Sequence, residues 1–153
     1  GGAQYKWLEK QFANSDATWK FVAYHHSPYT SEQDDYGETW ETSDTEYGDV
    51  NMRKLLPLYE KYDVDMVFYA HIHSYERSWP LKNNKIDRDD GIIFIQAGGA
   101  GGNLADHGPT PTWFNVKKES GYHFTYLNIF KNTLEFGMYD IEGDLKDSFK
   151  IIK

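Results

Sequence analysis

The sequence predicts an α/β fold with a mixed sheet and flanking helices, on three observations. Two short apolar runs, Asp65–Ala70 (DMVFYA) and residues 92–96 (IIFIQ), have the length and composition of strands buried on both faces. Segments of helical spacing precede the first two predicted strands, as in sheets whose strands are joined through helices. The C-terminal third changes to alternating apolar and polar residues punctuated by turn signals.

The elements follow in order. Residues 4–13 (QYKWLEKQFA) place Trp7, Leu8 and Phe12 at helical spacing with Tyr5 alongside, and Asn14-Ser15-Asp16 ends the run. Residues 19–25 (WKFVAYH) are aromatic and β-branched, a strand by composition. Residues 30–49 carry Glu32, Asp34, Asp35, Glu38, Glu41, Asp44, Glu46 and Asp49. They read as a long solvated acidic loop, with a lid over a pocket as the alternative. Residues 51–62 set Met52, Leu55, Leu56 and Tyr59 on one helical face, but Pro57 inside the run requires a kink or a late start. After the two apolar strands comes the turn Gly98-Gly99-Ala100-Gly101-Gly102. It reads as a tight passage of backbone close to a pocket, or else as a phosphate cradle. His123–Phe130, Thr133–Asp140 and Ser148–Ile152 read as strands joined at Lys131-Asn132 and Glu142-Gly143-Asp144. They predict an antiparallel meander that completes the mixed sheet.

Composition excludes several functions. The 153 residues fit one domain, and the formal net charge of −8 argues against a nucleic-acid partner, which needs clustered Lys and Arg. The absence of cysteine excludes disulfides, thiolate ligands and cysteine nucleophiles. No apolar run reaches the roughly 20 residues of a membrane-spanning helix, so no membrane partner is expected. The chain opens Gly1-Gly2 rather than with Met, so a processed or truncated N-terminus is expected.

The histidines carry the chemistry. Of six, His25 and His26 end the first predicted strand, and His71 and His73 end the second. Ligands gather at such C-terminal strand ends, where loops leave the sheet and form a crevice. In His71-Ile72-His73, alternate residues of a strand share a face and lie roughly 6.6 Å apart. The two imidazoles could each hold one metal of a pair or together chelate one, and imidazole suits Zn, Fe and Mn. Lone H-x-H pairs are weak signals, and the second cluster at His25-His26 strengthens this one. His107 reads as a loop residue and His123 as a structural or outer-pocket one. Glu76 and Arg77 read as makers of a structural ion pair or backbone contacts rather than substrate contacts, and Tyr29 as a packed aromatic.

His26-Ser27-Pro28-Tyr29 and Ala70-His71-Ile72-His73-Ser74-Tyr75-Glu76-Arg77 resemble the H-x-P and G-H-x-H motifs of calcineurin-like metallophosphoesterases. The Tyr-Glu-Arg extension, Trp79-Pro80-Leu81, the glycine turn 98–102 and the closing strands are similar to the purple acid phosphatase branch. The resemblance implies His26 and His71 on one metal and His73 on the other, drawn from Fe, Zn or Mn. It implies hydrolysis of phosphate esters, small-molecule substrates, by a metal-bound hydroxide at a dinuclear site. A phosphodiesterase or nucleotide-cleaving relative, and a catalytically silent metal-binding or interaction fragment, are the alternatives. It also points to a secreted or periplasmic setting, which the residues themselves leave open.

Two departures accompany the resemblance. Ala70 stands where the family has glycine. The upstream D-x-H, G-D-x-x and G-N-H-[DE] motifs are absent, and with them the bridging Asp and further ligands. Residues 1–153 are therefore expected to be the C-terminal half of the catalytic domain, half of a four-layer α/β/β/α sandwich, with the N-terminal half as the partner that completes it. No catalytic or substrate-binding residue is assigned within the chain. A tetrahedral metal needs about four donors, so three histidines do not build the pair alone, and the isolated chain is expected to be inactive.

Overall fold

The computed structural model describes residues 2–31, 48–105 and 111–153. Three helices are present among them, α1 (Ala3–Ala13), α2 (Val50–Arg53) and α3 (Leu56–Lys61). The strands are β1 (Phe21–Ala23), β2 (Met66–Tyr69), β3 (Tyr75–Ser78), β4 (Leu81–Lys82), β5 (Lys85–Ile86), β6 (Ile93–Ala97), β7 (Asn115–Glu119), β8 (His123–Phe130), β9 (Thr133–Asp140) and β10 (Leu145–Ile152). Pro57 acts as expected. The helical run 51–62 breaks after Arg53 and restarts with Pro57 in the first turn of α3, where its missing N–H has no partner to lose.

Five strands form a mixed sheet in the order β1-β2-β6-β3-β7. β2 lies inside it, parallel to β1 on one side and to β6 on the other, while β3 runs antiparallel to β6 and β7. Alternation along β2 and β6 divides their side chains between two cores. Val67, Tyr69 and Phe94 face the helices, packing with Phe12, Leu56, Leu58 and Tyr59. Met66, Ile93 and Ile95 face the other way, against Leu134, Phe136 and Met138. Such two-sided burial is why these runs carry no polar alternation. Truncating fully buried Ile95 to Ala should cost about 2–5 kcal/mol.

The meander differs from the expectation. β8, β9 and β10 form a sheet of their own, in the order β10-β9-β8, stacked on the mixed sheet rather than extending it. The reason lies in its alternation. Leu127, Leu134, Phe136, Met138, Phe149 and Ile151 are one face of three strands, and burying that face needs a second sheet, not an edge. The result is three layers, α/β/β. Lys131, at φ 53°, makes the predicted β8–β9 turn, and the third strand starts at Leu145 rather than Ser148. The first predicted strand is shorter than residues 19–25, and Trp7 is 60% exposed, so only Phe12, Leu8 and Tyr5 carry α1's packing. No helix among the described residues is long and apolar enough to cross a membrane.

Candidate metal centre

β1 and β2 deliver the histidines to one edge. The parallel ladder continues past the strands, with Tyr24 N donating to Phe68 O at 3.1 Å and Ala70 N to His25 O at 3.1 Å. His71 then turns out of the sheet in the left-handed region, at φ 43°. The strand geometry expected for His71-Ile72-His73 therefore does not occur. Ala70, in ordinary negative-φ backbone, shows that the family's glycine is not required here for a left-handed turn.

His71 joins His25 and His26. One ring nitrogen from each lies within 4.8 Å of the others. His71 Nδ1 and His25 Nε2 are 2.9 Å apart, and the His26 and His71 ring centroids 4.8 Å. Nitrogens sharing a tetrahedral ion at 2.0–2.1 Å each lie about 3.3 Å apart, so the His25–His71 pair needs only a small outward shift to hold one. His73 stands outside this trio. Its Nδ1–H donates to Asn103 O, which leaves Nε2 as the acceptor nitrogen, the tautomer a metal requires. The glycine turn makes room for that ring. A Cβ on Gly102 would fall 2.5 Å from His73 Cε1, and one on Gly98 2.0 Å from Ile72 O.

Residues that the sequence reading did not single out hold the loops in place. Ser27 Oγ donates to Gln96 Oε1 and Gln96 Nε2 to Ser74 Oγ, both at 2.9 Å, in a chain wholly shielded from solvent. It ties the His26 segment to the His73 segment through β6. Asp49 Oδ2 lies 3.3 Å from His26 Nδ1, while its Oδ1 accepts from Asn51 N at 2.7 Å and caps α2. The N-cap is local, but no local pattern signals the Ser27–Gln96–Ser74 chain or the approach of Asp49 to His26, because those partners are distant in sequence.

Glu76 and Arg77 are structural but do not pair with each other. Buried Glu76 accepts from Ser31 N, Ser31 Oγ, Thr30 Oγ1 and Asn115 Nδ2, which anchors residues 30–31 to β3. Arg77 goes to Asp147 on β10. Buried Tyr29 packs against Phe94 and Phe114 and donates to Asn84 Oδ1, and burial pushes its hydroxyl up to about 12. His123 is buried against Tyr75, and its Nδ1–H donates to Gly121 O. Burial lowers its pKa, opposed in part by that hydrogen bond. The acidic residues 32–47 and His107 lie outside the described residues.

A mixed sheet that brings imidazoles together at the C-terminal ends of parallel strands places a candidate ligand cluster where α/β sheets bind their ligands. Comparison with known proteins agrees. Residues 1–75 match the family model for calcineurin-like phosphoesterases. Over 167 residues the chain is 27% identical to "Probable inactive purple acid phosphatase 27" of Arabidopsis thaliana, covering 100% of this chain and 27% of that one. It is 27% identical over 168 residues to a nucleotide pyrophosphatase/phosphodiesterase of Hordeum vulgare, covering 99% and 44%. The structure of purple acid phosphatase PPD1 from yellow lupin superposes with a TM-score of 0.84 at 27% identity, covering 99% of this chain and 28% of that chain. Over residues 1–75 the chain is thus similar to the calcineurin-like phosphoesterase family, and over essentially its whole length to purple acid phosphatases. It spans between about a quarter and under half of these relatives' lengths.

Proposed function

We propose that the chain carries the histidine side of a dinuclear centre that hydrolyses small phosphate esters, with residues 1–153 as the C-terminal half of the catalytic domain. The observation that carries this reading is the convergence of His25, His26 and His71 at the ends of two parallel strands. His26 and His71 would hold one ion and His73 the other, as the motifs imply. The 2.9 Å approach of His25 to His71 adds His25 to the first group. Fe, Zn and Mn fit a donor set of imidazoles. The ions, when bound, supply Lewis acidity and lower the pKa of water.

The chain's own groups bind and orient. His73 presents Nε2 because Asn103 O holds its other nitrogen. The Ser27–Gln96–Ser74 chain keeps the two histidine loops in register. Three or four imidazoles still fall short of two coordination shells, so sequence outside residues 1–153 would contribute the remaining ligands. Two alternatives have specific support. The barley relative's name favours cleavage of nucleotide diesters, and the Arabidopsis relative's name favours a silent domain.

The test is metal analysis and turnover of an aryl phosphate and an aryl phosphodiester. It compares the full-length protein, the 153-residue chain and full-length His71→Ala. Loss of metal and turnover together in His71→Ala supports the reading. Equal turnover by the short chain sinks the shared-site reading. Full-length protein without stoichiometric metal favours the silent alternative.

A further inference from the structure

We infer that Asp49 is a positioning residue for His26, fixing the ring's tautomer so that Nε2 is the nitrogen offered to the histidine cluster; this rests on the proposed metal reading of that cluster. Asp49 is 5% exposed, so its carboxylate must be fully engaged within the protein. Oδ1 accepts from Asn51 N at 2.7 Å, which commits that oxygen to the start of α2. Oδ2 faces His26 Nδ1 at 3.3 Å. A carboxylate only accepts, so the neutral imidazole must carry its proton on Nδ1 and keep its lone pair on Nε2. Histidine ligands of metals are commonly held by a carboxylate in this way.

The backbone makes the arrangement rigid. Asp49 N donates to Ser27 O at 2.8 Å, so the carboxylate and the imidazole are carried by two segments already bonded to one another. Gly48 allows the approach. Its φ is +124°, and a Cβ there would fall 2.5 Å from Pro28 O. Arg53, one turn into the same helical run, donates to Pro28 O at 2.7 Å and ties α2 to the His26 segment again. The last residues of the acidic stretch thus return to the histidine motif and lock onto it.

Asp49→Asn separates orientation from folding. Asn caps a helix about as well as Asp. Its single oxygen would go to Asn51 N, and its amide N–H would then face His26 Nδ1. That forces the proton onto Nε2 and inverts the tautomer. The experiment uses full-length protein with 15N-labelled histidine, assigned through His26→Ala. The tautomer is read at about pH 8, where a normal imidazole is neutral, and zinc ion affinity is measured by competition with a chelator. The expected result is an inverted His26 tautomer and roughly 10–100-fold weaker zinc binding in Asp49→Asn, with the unfolding midpoint unchanged. An unaltered tautomer in Asp49→Asn overturns the inference. An inverted tautomer with zinc affinity unaffected in both Asp49→Asn and His26→Ala instead removes His26 from the ligand set, and the inference's metal arm falls with it.

Discussion

Arg77 grips Asp147 with two nitrogens, Nε to Oδ2 at 2.6 Å and Nη2 to Oδ1 at 2.9 Å, which ties the strand after the histidine motif to the last strand of the meander. Tyr75 donates to the same carboxylate at 2.7 Å, and Phe149 lies beneath the guanidinium. Both ionic side chains are mostly buried, at 15% and 7% exposure. Removing one partner strands the other charge, so Asp147→Ala should destabilise by about 3–5 kcal/mol in urea unfolding. A loss below about 1 kcal/mol, typical of a surface pair, would show that the bridge between the sheets is weak.

Glu76, next to Arg77, governs the other face of β3. Glu76→Gln keeps the shape but turns an amide toward groups that all donate, among them Ser31 N and Asn115 Nδ2. The expected cost is about 1–3 kcal/mol per donor left unmet. Hydrogen exchange at Ser31 N should quicken with it. Unchanged exchange there would mean that the carboxylate does not hold the base of the acidic stretch.

Gly102 is a test of the glycine turn. It is exposed, so Gly102→Ala should barely alter the unfolding midpoint, yet its Cβ would press into the His73 ring. Zinc affinity of the full-length protein should fall by about tenfold or more as the ring loses Asn103 O. Wild-type affinity would remove the turn from any part in placing His73.

His123 supplies a pH dependence. Burial depresses its folded-state pKa below the ordinary 6.5. Between those two values the unfolded chain binds more protons than the folded one, so stability rises with pH there. Acidification through 6.5 therefore costs stability until the folded-state value is passed. His123→Asn, which can still donate to Gly121 O, should flatten this part of the profile. An identical slope in the variant would assign it to other groups.

Much of this architecture was legible where burial imposes a pattern. Asp65–Ala70 and residues 92–96 are apolar on both sides because helices cover one face and the meander the other. Pro57 marked the helix break by its chemistry alone. β3 stayed hidden because its residues look like surface. Glu76 and Arg77 are satisfied by groups 45 and 70 positions away, and no local period records that. The meander's alternation was visible, but its choice between edge and second layer depended on where Met66, Ile93 and Ile95 point. At the centre, the H-x-P motif singled out His26. The approach of His25 to His71 rests on the ladder bond from Ala70 N to His25 O and on the left-handed turn at His71, which no local pattern records. Asp49 read as one more acid in a charged stretch, since its partner is 23 residues back.

The left-handed backbone at His71 bears on how such a centre decays over evolutionary time. A β-branched residue would resist φ 43°, whereas Gly, Asn and Asp accept it. A descendant freed from the need for an imidazole would drift first to those three, keeping the bend while losing the donor. Sequencing close descendants would then separate two histories at one codon. Gly or Asn at this position would mark a lineage that lost the imidazole but kept the scaffold, and Val or Ile one whose strand end has been rebuilt.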